Sequence, residues 1–383
     1  MSSSAGLRDT AVRISKLLVL SYVVDWILII VVAAIGAGFS KVQGNQNPFS
    51  LTDLSISYPY AVKETVTTST LVLVSLVAPA ALILILTFFF VPTPTALRGA
   101  PFALIWRRKI WEWNAGWMGL GVALAGAFVA TEGLKDLMGK PRPDFLARCD
   151  PDLSKVATYA VSGLGRQLQG APTLVTWEIC RNQGYDVKVD GFASFPSGHS
   201  SFSFAGMTYL TLWLCAKFSI SFPYLGPRPL PPAITSGHAG TSSEDTNLEN
   251  SKQVSEQASP SSSPSSSAIS LRSQGAAPPV YLLIIAFVPL CVAAFIASSR
   301  WFNHRHHGFD ILFGSAMGIV FAWIGFRLYH QPIRRSDGWA WAARSRGHAF
   351  FRGFGYADVV SAEGWASDEP GNSNLRRDGD VEV

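Results

Sequence analysis

Six apolar runs, each about as long as a bilayer is thick, constrain this chain more than any other feature. They extend from about Leu17 to Phe39, Leu71 to Val91, Ala115 to Leu134, His199 to Phe218, Val280 to Ser298 and Phe309 to Tyr329. A helix needs roughly 20 apolar residues to cross the hydrocarbon core, where every backbone polar group must be satisfied inside the segment. The expected fold is therefore an all-α integral membrane protein with six transmembrane helices. Composition agrees, since 15% of the 383 residues are charged and 48% hydrophobic, whereas a soluble domain carries about 25% charged residues. Apolar residues are also too plentiful for a largely disordered chain. The net charge of +5 does not point to nucleic acid, because Lys and Arg lie in short clusters between apolar runs. That distribution reads as membrane topology, with the bilayer as the partner.

Orientation follows from the same clusters. Arg8, Arg13 and Lys16 precede the first run, Arg107, Arg108 and Lys109 separate the second from the third, and Arg327, Arg334 and Arg335 follow the sixth. With six spans these groups share one side, which the positive-inside rule makes cytosolic. Residues 1–16 and 330–383 are then cytosolic termini around a six-span domain of residues 17–329. The first run lacks an A-x-A cleavage site and exceeds the roughly 7–15 residues of a signal h-region, so it reads as a retained span. A Ser-rich insert at about 225–278 separates the fourth and fifth runs and is expected to be a disordered cytosolic loop.

Of the four cysteines, Cys215 and Cys291 fall inside apolar runs and read as small apolar residues. Cys149 and Cys180 fall between the third and fourth runs, on the extracytosolic side. The sequence leaves open whether they are bridged. Their segment, from about Asp144 to Ala193, is long for a connection. It is expected either to form a partial lid or to be an inert loop. Vacuole, endoplasmic reticulum, Golgi and plasma membrane all remain open as locations, since no K-D-E-L type signal occurs.

The far side carries charges that the topology rule does not want there. Lys135 and Arg142 are seven residues apart, two turns of helix, and cations at the mouth of a span either bind an anion or snorkel to the interface. Pro196-Ser197-Gly198-His199 opens the fourth run. Free N–H groups, a small hydroxyl and close backbone approach there suit a phosphate, although His199 can also be a helix-capping residue. After the fifth run stand Ser299-Arg300 and His304-Arg305-His306-His307-Gly308-Phe309-Asp310. If the sixth helix begins there, Asp310 lies one turn from His306, and a carboxylate on one ring nitrogen leaves the other free as nucleophile or base. Cys and Glu ligands are missing around these histidines, so no metal site is expected. Gathered together, these groups suit phosphoryl transfer without a metal.

These residues resemble the signature of the type 2 phosphatidic acid phosphatase family, the lipid phosphate phosphatases. Its K-x6-R-P, P-S-G-H and S-R-x5-H-x3-D motifs stand here as Lys135 to Arg142-Pro143, Pro196 to His199, and Ser299-Arg300 to His306 to Asp310. The stretch from Gly139 to Phe145, with Arg148-Cys149, looks especially like the fungal and plant members acting on diacylglycerol pyrophosphate and phosphatidate. The resemblance covers roughly Leu17 to Tyr329 without the insert. It implies a catalytic site at the extracytosolic ends of helices three to six, a membrane lipid phosphate as substrate, and no cofactor. It further implies His306 as nucleophile, Asp310 orienting its imidazole, and His199 as acid and then base. Lys135, Arg142, Arg300, Ser197 and Gly198 would hold the phosphate. Asp144, His304, Arg305 and His307 have no assigned role. The alternatives are a head-group phosphotransferase of the inositol phosphorylceramide synthase type, an isoprenoid diphosphate phosphatase, or a non-enzymatic family member.

Overall fold

The structure is a computed structural model that describes residues 16–91, 101–220, 224–225, 275–276, 279–333, 338–344 and 349–350. The expectations for residues 1–15, for most of the Ser-rich insert and for the tail beyond residue 350 lie outside these. Of the described residues, those within Leu28–Trp341 form one compact unit, and those within 1–27 and 342–383 form another. In the second unit Arg344 donates to Asp25 Oδ2 at 2.6 Å.

Long helices dominate. They are α1 (Lys16–Phe39), α2 (Thr68–Phe90), α3 (Phe102–Met138), α4 (Gly198–Lys217), α5 (Val280–Phe302) and α6 (Gly308–Tyr329). Within α2, Pro79 supplies no N–H to the ladder and its ring crowds the carbonyl a turn earlier, and the five residues before Ala78, Leu73–Val77, form a π turn. Helix α3 starts at Phe102, well ahead of the expected Ala115, because Arg107, Arg108 and Lys109 continue it beyond the apolar run; at 37 residues it is about 55 Å long. It stops at Gly139, whose φ of +54° is the left-handed C-cap conformation.

Five of these helices, all but α4, are long and apolar enough to cross a membrane. This differs from the expected six, and packing gives the reason. Helix α4 is enclosed by α3, α5 and α6, and Ser200, Ser201, Ser203, Thr208 and Thr211, which dilute its hydropathy, are all buried. A helix surrounded by other helices need not be lipophilic, and small polar residues let its neighbours approach. Ser201 Oγ lies 2.7 Å from Thr131 Oγ1 of α3, and Tyr209 donates to the Gly116 carbonyl at 2.8 Å. Around these contacts Ile83, Leu120, Leu124, Leu210, Trp213 and Phe326 form the main core.

The connections at one end of the bundle fold into a cap, so the fold is not wholly α. Strands β1 (Phe49–Ser50), β2 (Ala160–Ser162) and β3 (Leu174–Val175) form a small antiparallel sheet in the order β1-β3-β2, with Phe49 opposite Val175. Phe49, Phe145, Val175, Ile179, Val187 and Phe192 give the cap its own core. A disulfide joins Cys149 to Cys180, settling the pairing the sequence left open. The segment between α3 and α4 is thus an ordered partial lid rather than an inert loop.

Candidate active site

Four helix ends meet under the cap: the C-termini of α3 and α5 and the N-termini of α4 and α6. Lys135 lies in the last turn of α3, Arg300 in the last turn of α5, and His199 in the first turn of α4. Arg142 follows the Gly139 turn, and His306 lies in the short link between α5 and α6. All five line one cavity of about 490 Å³. One flank of that cavity is apolar, formed by Leu71, Val72 and Leu76 of α2, Phe128 of α3 and Phe202 of α4. Its other end carries the charges. The lid contributes Tyr185, Lys188, Asp190 and Phe192 to the wall.

His306 is buried, and its Nδ1 lies 2.6 Å from the Ser194 carbonyl oxygen. A carbonyl only accepts, so Nδ1 carries the proton and the Nε2 lone pair is turned toward the cavity. Arg142 Nη1 sits 3.3 Å from that Nε2 and also donates to the Arg305 carbonyl at 3.1 Å. Burial holds the His306 imidazole well below its ordinary pKa, and the positive charges of Arg142 and Lys135 push the same way against the Ser194 hydrogen bond. Burial and these charges thus both favour the neutral ring. His199 Nε2 lies 3.5 Å from Arg300 Nη1. Gly198 packs against Lys135, where an added Cβ would stand 3.0 Å from Nζ. A side chain there would push the ammonium back from the start of α4 by a few tenths of an ångström.

Two expected contacts are placed differently. The Asp310 carboxylate, fully buried, receives Lys140 Nζ at 2.7 Å, Ser194 Oγ at 2.6 Å and the His307 backbone N–H at 3.1 Å, with His307 Nδ1 at 3.2 Å. Helix α6 begins at Gly308, so His306 precedes it, and His307 is its N-cap in a capping box with Asp310. The capping box turns the carboxylate back onto His307. Asp310 reaches His306 through Ser194, whose hydroxyl binds the carboxylate and whose carbonyl binds the imidazole. Ser197 is brought beside the site rather than into its lining. It is buried as the N-cap of α4, its Oγ accepting from Ser200 Oγ at 3.0 Å and its N–H donating to the Asp310 carbonyl at 3.1 Å.

Acidic partners surround the cations. Asp190 of the lid receives Arg142 Nη2 at 2.7 Å and also pairs with Arg148. Burial alone would raise its carboxyl pKa, but Arg142 and Arg148 outweigh that and hold it well below the usual carboxylate range. Arg148 also binds the buried Asp144 at 2.7 Å, and its guanidinium stacks over Tyr60, as does that of Arg305. Arg305, Lys140, Ser194, Glu64 and Asp190 are site components that motif spacing does not reveal. Lys140 and Ser194 sit within or next to the motifs and were legible in principle, whereas Glu64 and Asp190 carry no sequence signal.

The match of a family model decides what this constellation belongs to: the model for the PAP2 superfamily covers residues 116–334. The chain belongs to the PAP2 superfamily. The matched span contains every signature residue named above and all of α4, α5 and α6. Among curated PAP2 relatives, diacylglycerol pyrophosphate phosphatase 1 of Saccharomyces cerevisiae is 27% identical over 81% of this chain and 80% of its own length. A probable diacylglycerol pyrophosphate phosphatase 1 of Schizosaccharomyces pombe is 27% identical over 74% and 72%. Lipid phosphate phosphatase 2 of Arabidopsis thaliana is 26% identical over 66% of this chain and 63% of its own. No solved structure matches.

Proposed function

We propose that this PAP2 chain is a metal-independent lipid phosphate phosphatase that hydrolyses phosphatidate, diacylglycerol pyrophosphate and related lipid phosphates through a phosphohistidine. The observation that carries the reading is the His306 imidazole. It is neutral, with Nδ1–H held by Ser194, and its Nε2 lies 3.3 Å from Arg142 in a cavity with a charged end and an apolar flank. Lys135, Arg142 and Arg300, with the N–H of Gly198, hold the phosphate oxygens. Nε2 attacks phosphorus while the bond to the lipid oxygen, or to the α-phosphate of a pyrophosphate, breaks. His199 protonates the departing oxygen. Water then attacks the phosphohistidine, His199 takes its proton, and orthophosphate leaves with His306 restored. Ser197 acts by fixing the start of α4, and Asp310 by holding Ser194.

The apolar flank suits acyl chains that stay in the bilayer while the head group reaches the cations. We place all six helices across the membrane, α4 inside the bundle, with the site at the lumenal or exterior face. The Cys149–Cys180 bridge supports that side, because disulfides persist in oxidising compartments. Of the four carboxylates that line the cavity, Glu64, Glu132 and Asp190 are each paired with a cation, and Asp136 is the fourth; the paired three suit chemistry in which Lys and Arg bear the phosphate charge. His306→Ala and His199→Ala are each expected to abolish EDTA-insensitive phosphate release from phosphatidate in proteoliposomes. Retained activity in His306→Ala would sink the mechanism.

A further inference from the structure

Each of the three cations assigned to the phosphate already has a carboxylate on it. Lys135 pairs with Glu132 at 2.6 Å, Arg142 with Asp190 at 2.7 Å and Arg300 with Glu64 at 2.9 Å. Glu132 is one turn from Lys135 on the same helix, and Asp190 is shared with Arg148 in the network that ties the lid to the bundle. Glu64 is different in kind. It comes from the segment between α1 and α2, and its second oxygen receives Arg305 at 3.1 Å. The Glu64 side chain is 28% exposed while that of Arg300 is 1% exposed, so the carboxylate lies on the open side of the arginines, where it lines the cavity. Two oxygens of one anion thus bridge two guanidinium groups, as two oxygens of a phosphate can.

Glu64 is not what holds these guanidinium groups in place. Arg300 also donates to Ser299 Oγ at 3.1 Å and to the Val66 carbonyl at 2.9 Å, and Arg305 donates to the Ala61 carbonyl at 3.2 Å. What Glu64 supplies is charge, above all to Arg300: Arg305 also has Asp190 at 3.6 Å and Asp144 at 4.0 Å, whereas Glu64 is the carboxylate paired with Arg300 among the described residues. Without it, Arg300 would stand in a poorly solvated wall beside the cation of Arg305 with no carboxylate of its own. We infer that Glu64 is a built-in stand-in for phosphate: it occupies Arg300 and Arg305 in the empty site, yields them to the incoming phosphate, and on returning helps expel orthophosphate. The inference rests on the reading of Arg300 as a phosphate-holding residue. Glu64 thereby becomes a determinant of phosphate affinity and of product release, although it lies outside residues 116–334 that match the family model.

The test is titration of the purified full-length chain in lipid nanodiscs with inorganic phosphate, by calorimetry and as a competitor of phosphatidate hydrolysis. Glu64→Gln removes the charge and keeps the shape. It is expected to bind phosphate about tenfold more tightly, equivalent to about 1.4 kcal/mol, and to show stronger product inhibition with a lower kcat. Unchanged or weaker phosphate binding overturns the inference. Glu64→Asp, one methylene too short to span both arginines, is a second variant expected to lie between wild type and Glu64→Gln, and affinity at or below wild type there overturns it equally. A wild-type protein that neither binds phosphate nor hydrolyses phosphatidate would remove the reading of the site itself. Active wild type alongside a Glu64→Gln variant of unaltered phosphate affinity removes only the role of Glu64.

Discussion

Asp310→Asn tests how the nucleophile is held. The carboxylate anchors Lys140 at 2.7 Å and Ser194 Oγ at 2.6 Å, and Ser194 in turn fixes the His306 ring at 2.6 Å through its carbonyl. Hydrogen bonds to a charged group are worth about 1.5–3 kcal/mol each. An amide in place of the carboxylate turns a donor toward Lys140 or Ser194, so the turn carrying Ser194 loses about 3 kcal/mol of restraint. Misplacing a reacting group by about 1 Å costs about 100-fold in rate, or about 2.7 kcal/mol. The two magnitudes agree. The expected result is a kcat about 100-fold lower with KM for phosphatidate little changed, since Lys135, Arg142 and Arg300 are untouched. Steady-state assays in proteoliposomes measure this, with a thermal melt to correct for the lost capping box. Ser194→Ala breaks only the hydroxyl link and is expected to lower kcat about tenfold, near 1.4 kcal/mol. Full activity in Asp310→Asn would refute the argument. Full activity in Ser194→Ala beside a slow Asp310→Asn would mean that Asp310 acts on the imidazole directly.

The pH dependence of kcat/KM follows from His306. Because its pKa is depressed, the nucleophile stays neutral as pH falls through the ordinary histidine range, and its protonation should limit the rate only at markedly lower pH. Arg142→Met removes one of the depressing charges and should move that acid limb upward, besides weakening phosphate binding. Cys149→Ser opens a loop closed across 31 residues and is expected to cost about 3–4 kcal/mol on chain-entropy grounds, read as a lower melting temperature that reducing agent reproduces in wild type. At the opposite end of the bundle, Lys217 pairs with the buried Glu112 and donates to the Gly338 carbonyl at 2.6 Å. Glu112→Ala strands that ammonium and is expected to destabilise the fold by about 3–5 kcal/mol, with melting temperature and expression in membranes as the measurements.

Hydropathy alone located all six long helices to within a few residues at most ends, because the apolar length needed to cross a bilayer is a local property of the chain. Motif spacing brought Lys135, Arg142, Gly198, His199, Arg300 and His306 to one cavity, since their places at helix ends follow from which spans precede and follow them. It did not give the partners of those residues. Asp310 and His306 are four apart, but the helix starts between them and its capping box claims the carboxylate. Ser197 has the chemistry of a phosphate ligand, but the N-cap of α4 claims its hydroxyl. Helix α4 reads as a span like the others, whereas its serines and threonines make sense only inside a ring of neighbours. The pairing of the cysteines is decided by the tertiary structure of the lid, whose core holds both beside Phe145 and Ile179. Glu64 meets Arg300 across 236 residues. Spacing and periodicity report on contacts within a few turns, and a counterion so distant in sequence is fixed only by how the connections fold over the bundle's end.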